Sequence, residues 1–303
     1  MHPALVTSPD GATWPASLNL RFVHNESGTR LASSDHHGPL YVQKAFYPEG
    51  AACAHIYLLH PPGGVVSGDS LDTALVLEPA AEVLVTTPGA QRFYRARQDR
   101  PEETPLPQRV QNKLEVHENA TLEWLPGETI VFDGAEISLS TRVELVGTGQ
   151  FFGWEVVCLG LPAGNEPFLT GSFQQTFAIF VDGQPKVIDR LSFDAASTLR
   201  QVPCGLDMKP VIGTLIFGPL DKLTAEPEAD ELVDQLRAHL GSFTDYPDYE
   251  DDLFSVTVLD HFLLLRYLGM SAERARKLFV CAWEFMRPLG MDRTAVKPRI
   301  WAT

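Results

Sequence analysis

The segment HPPGGVVSGDSL, from His60 to Leu71, gathers residue types that can build an unusual backbone and hold an ion. Pro61 and Pro62 fix φ and remove two amide donors, while Gly63, Gly64 and Gly68 open backbone paths closed to other residues. His60 at its start and Asp69 near its end offer an imidazole and a carboxylate, both competent ligands for a divalent cation. A tight crossover that needs glycine and proline only to turn is the plainer account of the same letters. Two further groups of residues could do chemistry. His36 and His37 are adjacent, so on a strand they point to opposite faces and chelate one ion poorly. Arg92, Arg95, Arg97 and Arg100, with Phe93 and Tyr94 among them, could meet a phosphate or an acidic partner, although Asp99, Glu102 and Glu103 make them read as a mixed surface edge. The acidic run DYPDYEDD, Asp245 to Asp252, reads as a solvated loop, because a cation site there would need several carboxylates converging on one ion.

Gly68-Asp69-Ser70-Leu71 also spells the signature of the GDSL esterases, which makes Ser70 a candidate nucleophile. That chemistry needs a base, supplied in such enzymes by a late Asp-x-x-His on an α/β scaffold. No Asp in this sequence is followed three positions later by His. Phosphate-cradling loops of the Gly-x-x-x-x-Gly-Lys-Ser/Thr and Gly-x-Gly-x-x-Gly types are absent as well, which argues against nucleotide hydrolysis and hydride transfer. A non-catalytic protein is the expectation.

The elements that must position these residues belong to an ordinary globular composition. Of 303 residues, 44% are hydrophobic and 21% charged, and 24 Lys and Arg stand against 39 Asp and Glu for a net charge of −15. Such a field repels phosphate backbones and anionic headgroups, so nucleic acid and membrane surfaces are poor partners and a cation or a basic protein patch is a better one. The first residues carry no basic start and are broken by Pro, Asp and Gly, so they read as neither a signal nor a transit peptide. Cys53, Cys158, Cys204 and Cys281 are too far apart for a Cys-x-x-Cys pair and are expected as four buried apolar side chains in a reducing cytoplasm.

From residue 18 to residue 218 the apolar pattern has the period of strands, with turn residues every ten or so positions and no fixed repeat. The clearest runs are Leu18 to Val23, Leu40 to Phe46, Ala54 to His60, Leu114 to Leu125 and Phe152 to Gly160. Asp182-Gly183 sits in a hairpin between Phe173 and Phe193, since glycine accepts the positive φ that such a turn needs. Helical spacing comes late. Ala229, Leu232, Val233, Leu236 and Leu240 predict a helix over 227–240, begun at Pro227. Ser271 caps a second over 271–287, with Ala275, Leu278, Phe279, Ala282 and Met286 as its stripe and Pro288 and Gly290 as its stop. A strand is expected at about 255–268, and a tail over 288–303. The expectation is one mainly β domain over 1–303, with β-helix-like or stacked sheets and about two C-terminal α-helices.

Six blocks carry a resemblance. GPLYVQKAFYPEG, YLLHPPGGVVSGDSL, TTPGAQRFYR, LEWLPGETIVFDGA, WEVVCLGLPAGNEPF and the terminal PRIWAT occur in order along almost the whole chain, which resembles the urease accessory protein family UreD, also called UreH. The resemblance implies a non-catalytic scaffold in nickel delivery, working with UreF and the GTPase UreG on apo-urease, with no permanent cofactor and nickel(II) in transit. It further implies an internal conduit whose matching positions are Asp69, Gln91, Glu155 and Asp189, with the three carboxylates as transient metal ligands. Spaced carboxylates with water replace part of an ion's lost hydration without the cage that would trap it. The alternative for Glu155 and Asp189 is a buried or rim ion pair, Arg190 adjoining Asp189. Gln91 stands where a small hydroxylated residue also suits the family, and Leu161 where an Arg is common.

Overall fold

The computed structural model describes residues 14–97, 106–220, 229–244 and 251–302. The chain begins with a hairpin, β1 (Pro15–Asn25) and β2 (Gly28–His37), and then shuttles between two sheets. One sheet receives β4 (Ser70–Leu77), β7 (Gln108–Val116), β10 (Glu136–Leu145), β13 (Ser172–Val181) and β14 (Gln184–Asp194). The other receives β3 (Cys53–Tyr57), β5 (Glu82–Thr86), β8 (Thr121–Leu125), β11 (Gln150–Leu161), β15 (Val211–Gly218), β16 (Leu253–Leu259) and β17 (Phe262–Gly269). Short strands β6 (Gln91–Phe93), β9 (Thr129–Val131) and β12 (Glu166–Pro167) join the second sheet beside β11.

The sheet orders are β14-β13-β10-β7-β4-β1-β2 and β16-β17-β15-β11-β8-β5-β3. Strands β1, β4, β7, β10 and β13 run parallel, as do β3, β5, β8 and β11, which is the coiling of a β-helix. Ser70 pairs with Arg109, Arg109 with Ser138 and Ser138 with Gln174, so successive coils are 39, 29 and 36 residues long. Unequal coils explain why no repeat is visible in the sequence.

Period-two alternation fills the space between the sheets. Leu18, Leu20 and Phe22 of β1, Leu71, Leu75 and Leu77 of β4, Leu114 and Val116 of β7 and Val143 and Leu145 of β10 are buried there. The second sheet is apolar on both faces, as a layer covered twice must be. Phe152, Trp154, Val156 and Cys158 of β11 point away from the sandwich and meet two helices, α1 (Ala229–Thr244) and α2 (Ala272–Met291). Their stripes, Leu232, Val233, Leu236 and Leu240 on α1 and Ala275, Leu278, Phe279, Ala282 and Met286 on α2, are all buried against it. The mainly β architecture with two late helices is as expected.

Several boundaries differ from the sequence reading. Leu40 to Phe46 is no regular strand: it touches the sheet through single bridges, Tyr41 to Leu59 and Phe46 to His55. The run from Leu114 to Leu125 is two strands parted by a turn in which Asn119 takes φ +57°. The strand expected over 255–268 is a hairpin, because Asp260 and His261 adopt φ of +44° and +66° and reverse the chain without a glycine to announce it. Helix α2 runs through Pro288 to Met291, since the buried Arg287 is tied to two carboxylates and Gly290 lies directly against the Phe217 ring. Ser271 does cap it, accepting from the Arg274 amide. Cys53 and Cys158 are buried, but Cys204 is exposed and Cys281 only partly covered, so the expectation of four buried thiols fails for two. Pro227, Arg100 and most of the acidic run lie outside the described residues. Asp252, the end of that run, is locked by Arg274 and the Tyr267 hydroxyl.

Candidate functional site: an internal cavity around Glu155

The glycine- and proline-rich loop is built by two turns. The Gly63 amide closes on the His60 carbonyl across the two prolines, and Gly63 takes φ +77°. Gly68 takes φ +82° in the second turn, which Asp69 closes twice: its amide donates to the Val66 carbonyl, and its Oδ2 accepts from the Val66 amide at 2.9 Å. A side chain at Gly64 would collide with the Tyr94 ring. Val65 pairs through its backbone with Arg92 and Tyr94, which attaches the loop to β6. Burial raises the Asp69 carboxyl against the lowering effect of the Val66 amide and Arg97. Burial likewise lowers the His60 imidazole.

Beneath that loop, one polar residue interrupts the inward apolar column of each of four strands: Thr73 on β4, Asn112 on β7, Thr141 on β10 and Gln175 on β13. The register sets Thr73 opposite Asn112 and Asn112 opposite Thr141. Facing them from β11 is Glu155. Asn112 Nδ2 donates to Thr141 Oγ1 at 2.9 Å, Thr141 Oγ1 donates to Glu155 Oε1 at 2.5 Å, and Gln175 Nε2 donates to Glu155 Oε2 at 2.6 Å. These groups line a cavity of about 250 Å³ whose wall also includes His60 and Gln91. Among the described residues no Lys, Arg or His pairs with Glu155. Burial, with the nearby Asp189 charge adding to it, outweighs the two hydrogen bonds and pushes its carboxyl up to about 7. The side chain is enclosed by protein yet keeps surface toward the cavity, so water admitted there holds the cost of its charge below that of full burial.

Asp189 stands on β14 at the edge of the sandwich, in a second cavity of about 330 Å³. Its Oδ2 accepts from Thr214 at 2.7 Å and its Oδ1 from Arg266 at 3.3 Å; Arg190, its neighbour in sequence, is not the partner. Gln175 lines both cavities. Thus Gln91 and Glu155 share one cavity, Asp189 adjoins it across Gln175, and Asp69 lies outside both linings as a closure of the loop. His36 and His37 are exposed on β2, and Arg95 pairs with Asp133 at 2.6 Å. Ser70 donates to Asp72 at 3.3 Å at the head of a parallel strand, on a scaffold of stacked sheets rather than alternating β and α.

The sequence reading missed the four polar neighbours of Glu155, although each sits at an alternate position in an apolar column, as in Ile137, Leu139, Thr141, Val143. It also missed a buried charge cluster between β3, β8 and α2. Arg287, with no exposed surface, pairs with Glu49 at 2.7 Å and Glu123 at 2.9 Å. His55 Nε2 lies 2.6 Å from Glu49 Oε1, and the Trp283 indole donates to Glu123 at 2.5 Å. Burial raises Glu49, but hydrogen bonds from His55 and Arg287 prevail and bring it down to about 2. Arg287 falls on the apolar stripe of α2 one turn after Trp283, which is the signal of a charge that must find partners inside.

The family model for the UreD urease accessory protein matches residues 15–302. This chain belongs to that family. It is 43% identical over 293 residues to the urease accessory protein UreD of Marinomonas sp., covering 96% of this chain and 90% of that protein. It is 39% identical over 290 residues to urease accessory protein UreD 2 of Brucella anthropi, covering 96% and 98%. Against UreD of Psychromonas ingrahamii the identity is 38% over 310 residues, covering 98% and 97%. Membership in UreD gives the protein an accessory role in urease maturation. No helix among the described residues is long and apolar enough to cross a membrane.

Proposed function

We propose that this UreD protein is a non-catalytic cytoplasmic scaffold that docks UreF and the GTPase UreG on apo-urease and conducts nickel(II) through its own interior. Nickel is cargo here, not a resident cofactor. The observation that supports the conduit is Glu155: a carboxylate without a cationic partner among the described residues, in the middle of an apolar sandwich, facing a cavity that shares Gln175 with the cavity of Asp189. A core has no use for such a group, because an apolar residue there costs nothing to desolvate. A hydrated divalent ion does have a use for it. Gln91 and His60 then line the end of the path under the glycine loop, Glu155 and Gln175 its middle, and Asp189 with Thr214 its far side. Asp69 holds the loop in shape.

The path is tested by plugging its shared wall. Gln175→Leu and Asp189→Leu should each lower the nickel content of urease matured with the variant, while the yield of the complex with UreF and UreG stays near that of the wild type. Full nickel loading by both variants would overturn the conduit, and loss of the complex itself would return these residues to a structural role.

A further inference from the structure

We propose that Cys53 and His55, with Glu49 beside them, form a binding site for a borderline divalent transition-metal ion such as zinc(II), separate from the cavity around Glu155. Cys53 and His55 are two residues apart on β3, so both side chains leave the same face of the strand, toward α2. Glu49 sits in the turn before that strand, closed by the Gly50 amide on the Tyr47 carbonyl and tied to β3 where Phe46 pairs with His55. A carboxylate oxygen of Glu49, the Cys53 sulfur and an imidazole nitrogen of His55 all lie within 4.8 Å of one another. Thiolate and imidazole are donors that favour zinc-like ions over calcium or magnesium, with Glu49 behind the imidazole rather than on the ion.

A second observation points to a ligand. His55 has no exposed surface, and its Nδ1 has no hydrogen-bond partner among the described residues. Buried polar atoms are seldom left so. With Nε2–H donating to Glu49 Oε1, the neutral ring presents a bare lone pair at Nδ1. A carboxylate behind the distal nitrogen is also the arrangement that orients metal-bound histidines, and Arg287 in turn fixes that carboxylate.

The charges agree. With the His55 ring neutral, Glu49, Glu123 and Arg287 carry a net charge of −1 in the buried cluster. A divalent ion that binds as the Cys53 thiol gives its proton to solvent brings the group to zero. A cavity of about 210 Å³, lined by Cys53, Glu123, Gly290 and Arg293 among others, reaches the cluster and leaves room for an exchangeable ligand.

Cobalt(II) added to the purified full-length chain is the probe, because a thiolate on cobalt gives a sulfur-to-metal charge-transfer band. One cobalt per chain should bind with that band and be displaced by zinc(II). Cys53→Ala and His55→Gln should lose the band and weaken binding by about tenfold or more. Glu155→Gln should keep the thiolate band, which reports the Cys53 site alone, so that failure here and failure of the nickel path are told apart. Should the first two variants not fold, Cys204→Ser/Cys281→Ser, which leaves Cys53 in place, must retain the band. A wild-type chain without a thiolate band, a band that survives Cys53→Ala, or a band lost with the two accessible cysteines would each overturn the site.

Discussion

Two buried carboxylate sites in this protein are built from the same chemistry and tuned in opposite directions. Glu49, between the second sheet and α2, is held by Arg287 and His55 and sits at about 2. Glu155, between the two sheets, accepts from a hydroxyl and an amide, and burial with the Asp189 charge holds it at about 7. The first is paired and fixed. The second is solvated by side chains that could equally well turn to another partner, and it borders a cavity rather than packed atoms. On the proposed nickel path, the difference separates permanence from passage. Where α2 is attached to the second sheet, the charge is answered by a charge; where the proposed path would meet and release an ion, it is answered by neutral dipoles and space.

Removing the answering charge from the first site should have the largest effect. Arg287→Met leaves Glu49 and Glu123 buried without their cation and should cost about 3–5 kcal/mol, read as a lower urea midpoint or loss of soluble chain. The contribution of Glu49 has a definite pH window. Its carboxyl lies below its ordinary value of 4.5, so its stabilisation is complete above that value and is lost as pH falls toward 2. A Glu49→Gln variant should therefore differ from the wild type at pH 7 and converge with it near pH 2.

At the second site the same test has the opposite sign. Glu155 lies above its ordinary value, so the folded state binds a proton that the unfolded state does not, and stability falls as pH rises from 4.5 to about 7. Glu155→Gln should match the wild type near pH 4 and exceed it by about 1–3 kcal/mol at pH 8, the upper figure reduced by water in the cavity. An urea midpoint for Glu155→Gln below that of the wild type at pH 8 would erase the contrast between the sites. Asp69 should fall between them. Asp69→Asn keeps an acceptor for the Val66 amide and should be nearly silent, whereas Asp69→Ala should cost about 1 kcal/mol by freeing that donor, with both read by thermal denaturation.

Much of the architecture was legible because it rests on local signals. Alternation gave the strands, the stripes on α1 and α2 gave the helices, and Asp182-Gly183 gave a two-residue hairpin. The failures have physical reasons. Asp260-His261 turns the chain with residues that tolerate positive φ but rarely advertise it. Pro288 stays helical because tertiary ties to Arg287 and Phe217 outweigh one lost hydrogen bond. Of the conduit positions, the family blocks supplied the numbers. The partners that give Glu155 its character, Thr141 and Gln175, lie fourteen and twenty residues away and meet it only through the stacking of two sheets. The Glu49–Arg287 cluster spans more than two hundred residues, so no window of sequence contains it.

The most direct test uses one variant and three readouts. Glu155→Met turns the middle of the cavity into an ordinary core, of similar volume and without a charge to desolvate. The account predicts that this protein is more stable than the wild type at pH 8, still assembles with UreF and UreG, and delivers little nickel to urease. Greater stability together with normal nickel loading would contradict it.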